Sequence, residues 1–187
     1  MQDVFSCSMA SPTDLLKQRL DTGPVLACPG AANALTARLI EEAGFEACYV
    51  TGAGIANTYL GAPDLGLVTL SELAGHVGAI RDAVSLPLIV DADTGFGNPI
   101  GVQRTVRVLE RAGADAIQIE DQAFPKRCGH FAGKQLISAE EMEAKIKAAV
   151  DARDDALIIA RTDARAVEGF DAAVERARRY AAAGADV

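Results

Sequence analysis

The sequence predicts an α/β fold of alternating strands and helices, read as a (β/α)8 TIM barrel truncated after about five strand–helix units. Three observations carry that prediction. First, Ala-Gly followed by a short apolar run recurs at "AGFEACYV" from Ala43, "AGADAIQI" from Ala112 and "AGADV" from Ala183, at intervals of 69 and 71 residues. Each Ala-Gly closes an amphipathic stretch, as a glycine C-cap does, and hands over to a buried strand. Second, "LPLIVDAD" (86–93) and "ALIIARTD" (156–163) are further strand candidates between the repeats, so one strand–helix pair takes about 35 residues. Third, helix-start signals fall where this spacing needs them. Asn98-Pro99 sets a cap before a first-turn proline, and Thr69…Glu72 and Ser138…Glu141 have capping-box spacing. A doubly wound open sheet is the alternative arrangement of the same elements.

Taken in order, residues 1–22 read as a leader and helix, and the 187 residues as one incomplete barrel domain. The first unit closes at Ala43-Gly44 and the second strand follows in "FEACYV". The glycine-bearing stretch "TGAGIANTYLGAPDLG" (51–66) follows the second strand. Thr69 opens a helix, 86–93 is the third strand, Asn98 opens the next helix, and "AIQIEDQ" carries the fourth strand. A long connection from about Gln122 to Ile137 precedes the helix at Ser138; 156–163 is the fifth strand, and "GADV" opens a sixth. A complete barrel takes roughly 250 residues. The expectation is therefore a chain lacking three strands, poorly stable and catalytically incompetent alone.

Half of the residues are hydrophobic, enough for a substantial core. With 18 basic against 26 acidic residues the net charge is -8, which argues against nucleic acid as a partner. No apolar run approaches the ~18 residues of a membrane span, and "MQDVFSCSMASPTD" has neither a basic nor an apolar signal region. The expected location is the cytoplasm. Cys7, Cys28, Cys48 and Cys128 have neither metal-ligand spacing nor the density of a disulfide scaffold, and read as reduced thiols.

Charge collects at strand ends. In "LPLIVDADTGFG" strand alternation points Asp91 and Asp93 the same way, with Ile89 beneath. Converging carboxylates repel, and a divalent cation relieves that; for oxygen ligands this means Mg²⁺ or Mn²⁺. In the fourth strand Gln118 and Glu120 face one way and Ile117 and Ile119 the other, adding Glu120 to the group. The fifth contributes Arg161 and Asp163 on the face of Ile159. Taken singly, each carboxylate is more simply a helix cap or a solvated residue, Asp121 above all; three successive strands ending in charge favour a site.

The long connection contains "PKRCGH" (125–130), and connections of this length are commonly lids. There Lys126, Arg127 and His130 would favour a Cys128 thiolate able to move a proton; the alternative is that the cations only solvate the loop. "TGAG" offers backbone N–H groups to an anion, and Asp64 lies in the irregular segment aimed at the same rim, although alone it is more simply a turn residue. His76 reads as a surface residue.

With these residues identified, the chain from about Val25 to Val187 resembles the isocitrate lyase/phosphoenolpyruvate mutase superfamily, on the branch of methylisocitrate and 2,3-dimethylmalate lyases. "TGAG", "LGAPDLG", "VDADTGFG", "IEDQ", "PKRCGH" and "ARTDA" carry the resemblance, in that order. It implies a (β/α)8 barrel in a homotetramer with a helix exchanged between neighbours. It implies further that Asp91 and Asp93 hold Mg²⁺ largely through water, with Glu120 in the outer shell. Thr51, Gly52 and Ala53 would hold a substrate carboxylate with Arg161, and Asp64 would lie beside metal and substrate. Lys126, Arg127, Cys128, Gly129 and His130 would form a gating loop whose cysteine protonates a carbanionic product. Mutases of the superfamily generally lack that cysteine. Ala53 replaces a glycine common in methylisocitrate lyases, and "HFAGKQ" departs from their usual pattern.

The function implied is Mg²⁺-dependent carbon–carbon cleavage of a 2-hydroxy di- or tricarboxylic acid to pyruvate and a second acid. The alternatives are a phosphonate-forming mutase, an oxaloacetate hydrolase, and a non-catalytic oxo-acid-binding fragment.

Overall fold

The computed structural model describes residues 10–129 and 131–187. Five strands, β1 (Gly30–Ala31), β2 (Cys48–Val50), β3 (Leu88–Asp91), β4 (Ala116–Glu120) and β5 (Leu157–Arg161), form one parallel sheet in sequential order. A doubly wound sheet would reverse its strand order at a switch point, so a sequential order selects the barrel arrangement. Beyond β5, Asp186 donates its N–H to the Ile158 carbonyl at 2.8 Å and Ala160 donates to the Val187 carbonyl at 2.9 Å. "GADV" therefore lies along β5, where the sixth strand was expected.

Helices α1 (Pro12–Thr22), α2 (Ala34–Glu42), α3 (Gly52–Ile55), α4 (Leu70–Arg81), α5 (Pro99–Arg111), α6 (Ala139–Ala152), α7 (Ala164–Val167) and α8 (Phe170–Ala182) complete the fold. A π-helical turn, Ala56–Leu60, prolongs α3, and Asp64 follows it in an irregular segment, as expected. The Ala-Gly repeat has one local cause. Gly44, Gly113 and Gly184 take positive φ (82°, 104° and 110°). The next residue returns its N–H to the helix each time: Phe45 to Ile40, Ala114 to Leu109 and Ala185 to Tyr180. These are Schellman ends, in which glycine avoids the penalty a Cβ would incur.

The predicted helix starts are present, with one difference. Thr69 and Glu72 form a reciprocal capping box, and Asn98 accepts from the Gly101 N–H with Pro99 in the first turn. Ser138 caps the Glu141 N–H at 3.1 Å, but the Glu141 carboxylate turns toward Lys145, 4.0 Å away, so that box is half made.

Strand alternation divides the interior. Val50, Val90, Ile117, Ile119 and Ile158 pack outward against α2, α4, α5 and α6 in the main core. Tyr49, Ile89, Ala116 and Leu157 lie side by side in register on the other face and rest on Leu16 of α1. Above this layer the inward positions turn polar: Asp91 beside Gln118, then Glu120 beside Arg161.

Candidate active site

The polar residues meet at the carboxyl ends of β2 to β5, where α/β barrels place their chemistry. Asp91 is the last residue of β3 and accepts from the Asp93 N–H at 3.1 Å. Asp93 does not continue the strand. It has φ of +48°, outside any strand geometry, so the alternation expected to align the two carboxylates stops at Asp91. The turn achieves the convergence instead: Asp91 Oδ2 and Asp93 Oδ1 both lie 3.5 Å from where a Cβ at Gly52 would sit. Gly52 leaves the open wall that both carboxylates face.

Asp93 is flanked by a cation. Lys126, buried in the long loop, places Nζ 2.7 Å from Asp93 Oδ1 and 2.5 Å from Asp64 Oδ1. Burial opposes the Lys126 charge, yet Asp93 and Asp64 hold its proton affinity above the usual lysine range. Burial, reinforced by Asp91, pushes Asp93 up to about 6 despite that lysine. Glu120 is driven up to about 7 by burial, with Arg161 opposing and Asp91 reinforcing. Glu120 Oε1 is buried and accepts no hydrogen bond, whereas Asp93 Oδ1, also buried, is paired with the Lys126 ammonium. A buried acceptor left open beside converging carboxylates suits a ligand or a cation with its waters. Among the described residues, no three His, Cys, Asp or Glu side chains are grouped closely enough to hold an ion by themselves.

Thr51 follows β2 and caps α3, its Oγ1 accepting from the Gly54 N–H at 3.2 Å, which sets Gly52 and Ala53 in the first helical turn. Arg161 ends β5 with Nε 3.6 Å from Glu120 Oε2 and Nη2 3.6 Å from Asp163 Oδ2. Gly129 packs on this guanidinium: a Cβ there would sit 2.7 Å from Arg161 Nη2. The loop is thus closed onto the rim, and Cys128, half-buried, precedes the glycine at that contact. Arg127 is exposed and donates to the Ala132 carbonyl at 3.2 Å, while Lys126 pairs with Asp64 and Asp93. His130 lies outside the described residues, as does Cys7. Burial raises the thiol pKa of Cys28, and that of Cys48 to about 11.

Three contributors escaped sequence reasoning. Tyr49 lies on the inner face, where its hydroxyl accepts from Gln118 Nε2 at 2.8 Å; the alternation of "CYV" was its signal. Gln122 bonds both the N–H and the carbonyl of Arg127, and donates to Asp163 Oδ2 at 3.0 Å. Lys134 donates to the Gly129 carbonyl at 2.7 Å and to Asp163 Oδ1 at 2.8 Å. Neither loop residue has a local pattern that would mark it. Asp121 is fully buried, accepting from Thr162 Oγ1 (2.7 Å) and the Tyr180 hydroxyl (2.8 Å) and pairing with Arg176 (3.3 Å). It is neither solvated nor at the site.

A family model described as phosphoenolpyruvate phosphomutase matches residues 16–187. The chain belongs to this family. It is 58% identical over 176 residues to a 2-methylisocitrate lyase of Aeropyrum pernix, covering 94% of this chain and 57% of that protein. Among solved structures, a 2,3-dimethylmalate lyase described as a PEP mutase/isocitrate lyase superfamily member superposes with a TM-score of 0.90 at 41% identity, over 95% of this chain and 61% of that one. A phosphonopyruvate hydrolase in complex with oxalate and Mg²⁺ superposes with a TM-score of 0.87 at 37% identity, over 95% and 62%. The chain thus spans less than two thirds of the length of each. Family membership fixes the sheet as five successive strands of a (β/α)8 barrel.

Proposed function

We propose that the chain carries the cation-binding and lid-bearing part of a Mg²⁺-dependent carbon–carbon lyase, cleaving a 2-hydroxy di- or tricarboxylic acid of the methylisocitrate or 2,3-dimethylmalate type to pyruvate and a second acid. The observation that carries this reading is the closed loop: Cys128 is held next to Gly129, which packs on Arg161 at a carboxylate-lined rim. A cysteine there can return a proton to a carbanion, as cleavage requires and phosphoryl transfer does not.

Asp91 and Asp93 would hold the cation through few direct bonds and several waters, with Glu120 outside them, its buried Oε1 open to such a water. Mg²⁺, or Mn²⁺ in its place, would supply charge stabilisation for an oxygen that turns anionic as the carbon–carbon bond breaks. Arg161 and Thr51, with the backbone N–H groups of Gly52 and Ala53, bind the substrate carboxylate. Lys126 holds Asp64 and Asp93 in place and ties the lid to the rim, with Arg127 and His130 completing the loop. The lid excludes water while Cys128 delivers its proton. We place the protein in the cytoplasm, as a homotetramer, with the 187 residues as one incomplete barrel domain and residues 1–22 as its leader and helix.

Incubating the chain, completed with the remaining barrel of a relative, with 2-methylisocitrate and 2,3-dimethylmalate in Mg²⁺ and following pyruvate tests the reading. Phosphonopyruvate and oxaloacetate serve as the competing substrates. Turnover of either of these with none of the hydroxy acids would overturn the lyase assignment, and cation-dependent binding without turnover would leave a binding fragment.

A further inference from the structure

The turn presenting Asp93 is strained and fastened from outside. Asp93 and Phe96 take positive φ (48° and 55°), and Gly95 between them has φ of 88°. Left-handed backbone at non-glycine residues persists only where the surroundings impose it. Here three consecutive carbonyls are bonded. Asp93 accepts from the Glu120 N–H at 2.8 Å, Thr94 from Lys145 Nζ at 3.1 Å, and Gly95 from Thr105 Oγ1 at 2.9 Å.

The middle donor is the unusual one. Lys145 lies on α6, 51 residues away in sequence, and is 5% exposed. Its other charged neighbour, the Glu141 carboxylate, is 4.0 Å distant and half-exposed. Burying an ammonium against a single backbone carbonyl is unfavourable, because two of its three donors lose water without an equal return. Burial accordingly pulls Lys145 below the usual lysine range. An apolar side chain of the same length would suit the core of α6 beside Met142, Ile146 and Ala149 better. What the ammonium does that a methionine would not is hold Thr94, and Thr94 is the neighbour of Asp93.

We infer that Lys145 is a positioning residue: from α6 it pins the Thr94 carbonyl, and so holds Asp93 in the left-handed conformation that turns its carboxylate toward Asp91 and Lys126. The consequence for cation binding rests on the function proposed above; the fastening of the turn does not. Supporting residues of this kind change metal affinity by about 10- to 100-fold when removed.

Lys145→Met and Lys145→Gln decide it, read by hydrogen exchange across residues 92–97, by Mn²⁺ titration of the chain, and by melting. Lys145→Met should melt at or above the wild-type temperature, exchange faster in 92–97 alone, and bind Mn²⁺ about tenfold more weakly or worse. Lys145→Gln, with a shorter donor, should fall between. Unchanged exchange in 92–97 and unchanged Mn²⁺ affinity in a folded variant would overturn the inference. If the wild-type chain binds no Mn²⁺, the cation reading falls, and exchange alone decides the positioning role. If Lys145→Met does not fold, faster exchange confined to 92–97 in Lys145→Gln supports the role, and unchanged exchange there refutes it.

Discussion

Glu120 is a carboxylate that its own fold makes hard to ionise. Its pKa lies near 7 against an ordinary 4.5 because burial outweighs Arg161. The folded chain therefore keeps a proton that the unfolded chain gives up, and folding loses stability as pH rises from about 4.5 to about 7. At ~1.4 kcal/mol per unit the loss is roughly 3 kcal/mol, complete above pH 7. With cations chelated, Glu120→Gln should stabilise the chain by up to that amount at pH 8 and change little at pH 5, as urea unfolding would measure. Added Mg²⁺ should shrink the difference by offsetting the charge. A variant less stable than wild type at pH 8 would mean that the carboxylate is better paired than its surroundings indicate. Cys128 has the opposite profile, sitting half-buried in a loop outside the main cores. Cys128→Ser should leave the melting temperature within about 2 °C, since a surface loop change costs ~0.5 kcal/mol or less. Turnover of the completed enzyme should fall at least a hundredfold, the usual contribution of a positioned acid. An unchanged rate would reduce the thiol to an incidental residue.

Among the elements, the 122–137 loop combines length with tight fastening. Gln122 and Leu136 bridge at its neck, and Ala123 donates to the Gln135 carbonyl at 2.8 Å. Further in, Lys134 joins the Gly129 carbonyl to Asp163, and the lysine side chain is only 6% exposed. Lys134→Met should free the segment around Cys128 while the neck holds. The expected result is a lower kcat, faster hydrogen exchange in 124–134, and little change in melting; equal exchange in variant and wild type would refute the clasp. Asp121 fastens a different junction, joining the end of β4 to α8 through Arg176 and Tyr180. Asp121→Ala removes the buried acceptor shared by Thr162, Tyr180 and Arg176 and should cost about 1–3 kcal/mol in urea unfolding; a loss below ~0.5 kcal/mol would show that Glu168 and the Ile137 carbonyl satisfy Arg176 without it. These junctions also mark what was legible in the sequence. Helix ends at Gly44, Gly113 and Gly184, and starts at Thr69 and Asn98, depend on residues within five positions, so the chain displays them directly. Lys134–Asp163 and Lys145–Thr94 join residues 29 and 51 positions apart and depend on the packing of separate elements. The Asp93 turn misled alternation because a positive φ at a non-glycine residue has no local signature.

Across the whole molecule, the repeat of about 70 residues revealed alternating strand–helix units because every second unit reuses one Schellman end followed by a strand. What it left implicit is how far the inner face depends on closure. Tyr49, Gln118, Ile159 and Arg161 are only half-buried, whereas their outward counterparts Val50, Ile117 and Ile158 are fully covered by helices. The sheet also has two lateral limits, β1 at one side and the 186–187 segment along β5 at the other. In a closed barrel these would be bridged and the inward layer packed; with five strands the backbone edges and part of the inner face meet solvent. Exposed edges with apolar side chains nearby promote association, and a half-solvated rim weakens electrostatic preorganisation by raising the local dielectric. The 187 residues alone should therefore self-associate and turn over poorly even with every site residue in place. Fusing them in register to the remaining strand–helix units of the Aeropyrum pernix relative should yield a defined oligomer, a single cooperative melting transition and Mg²⁺-dependent pyruvate release. Size-exclusion chromatography with light scattering, calorimetry and a coupled pyruvate assay on both proteins provide the comparison. A monodisperse, cooperatively melting 187-residue chain with turnover equal to the fusion would mean that the five-strand unit needs no closure, and that the site draws its stability from the lid and the outer helices alone.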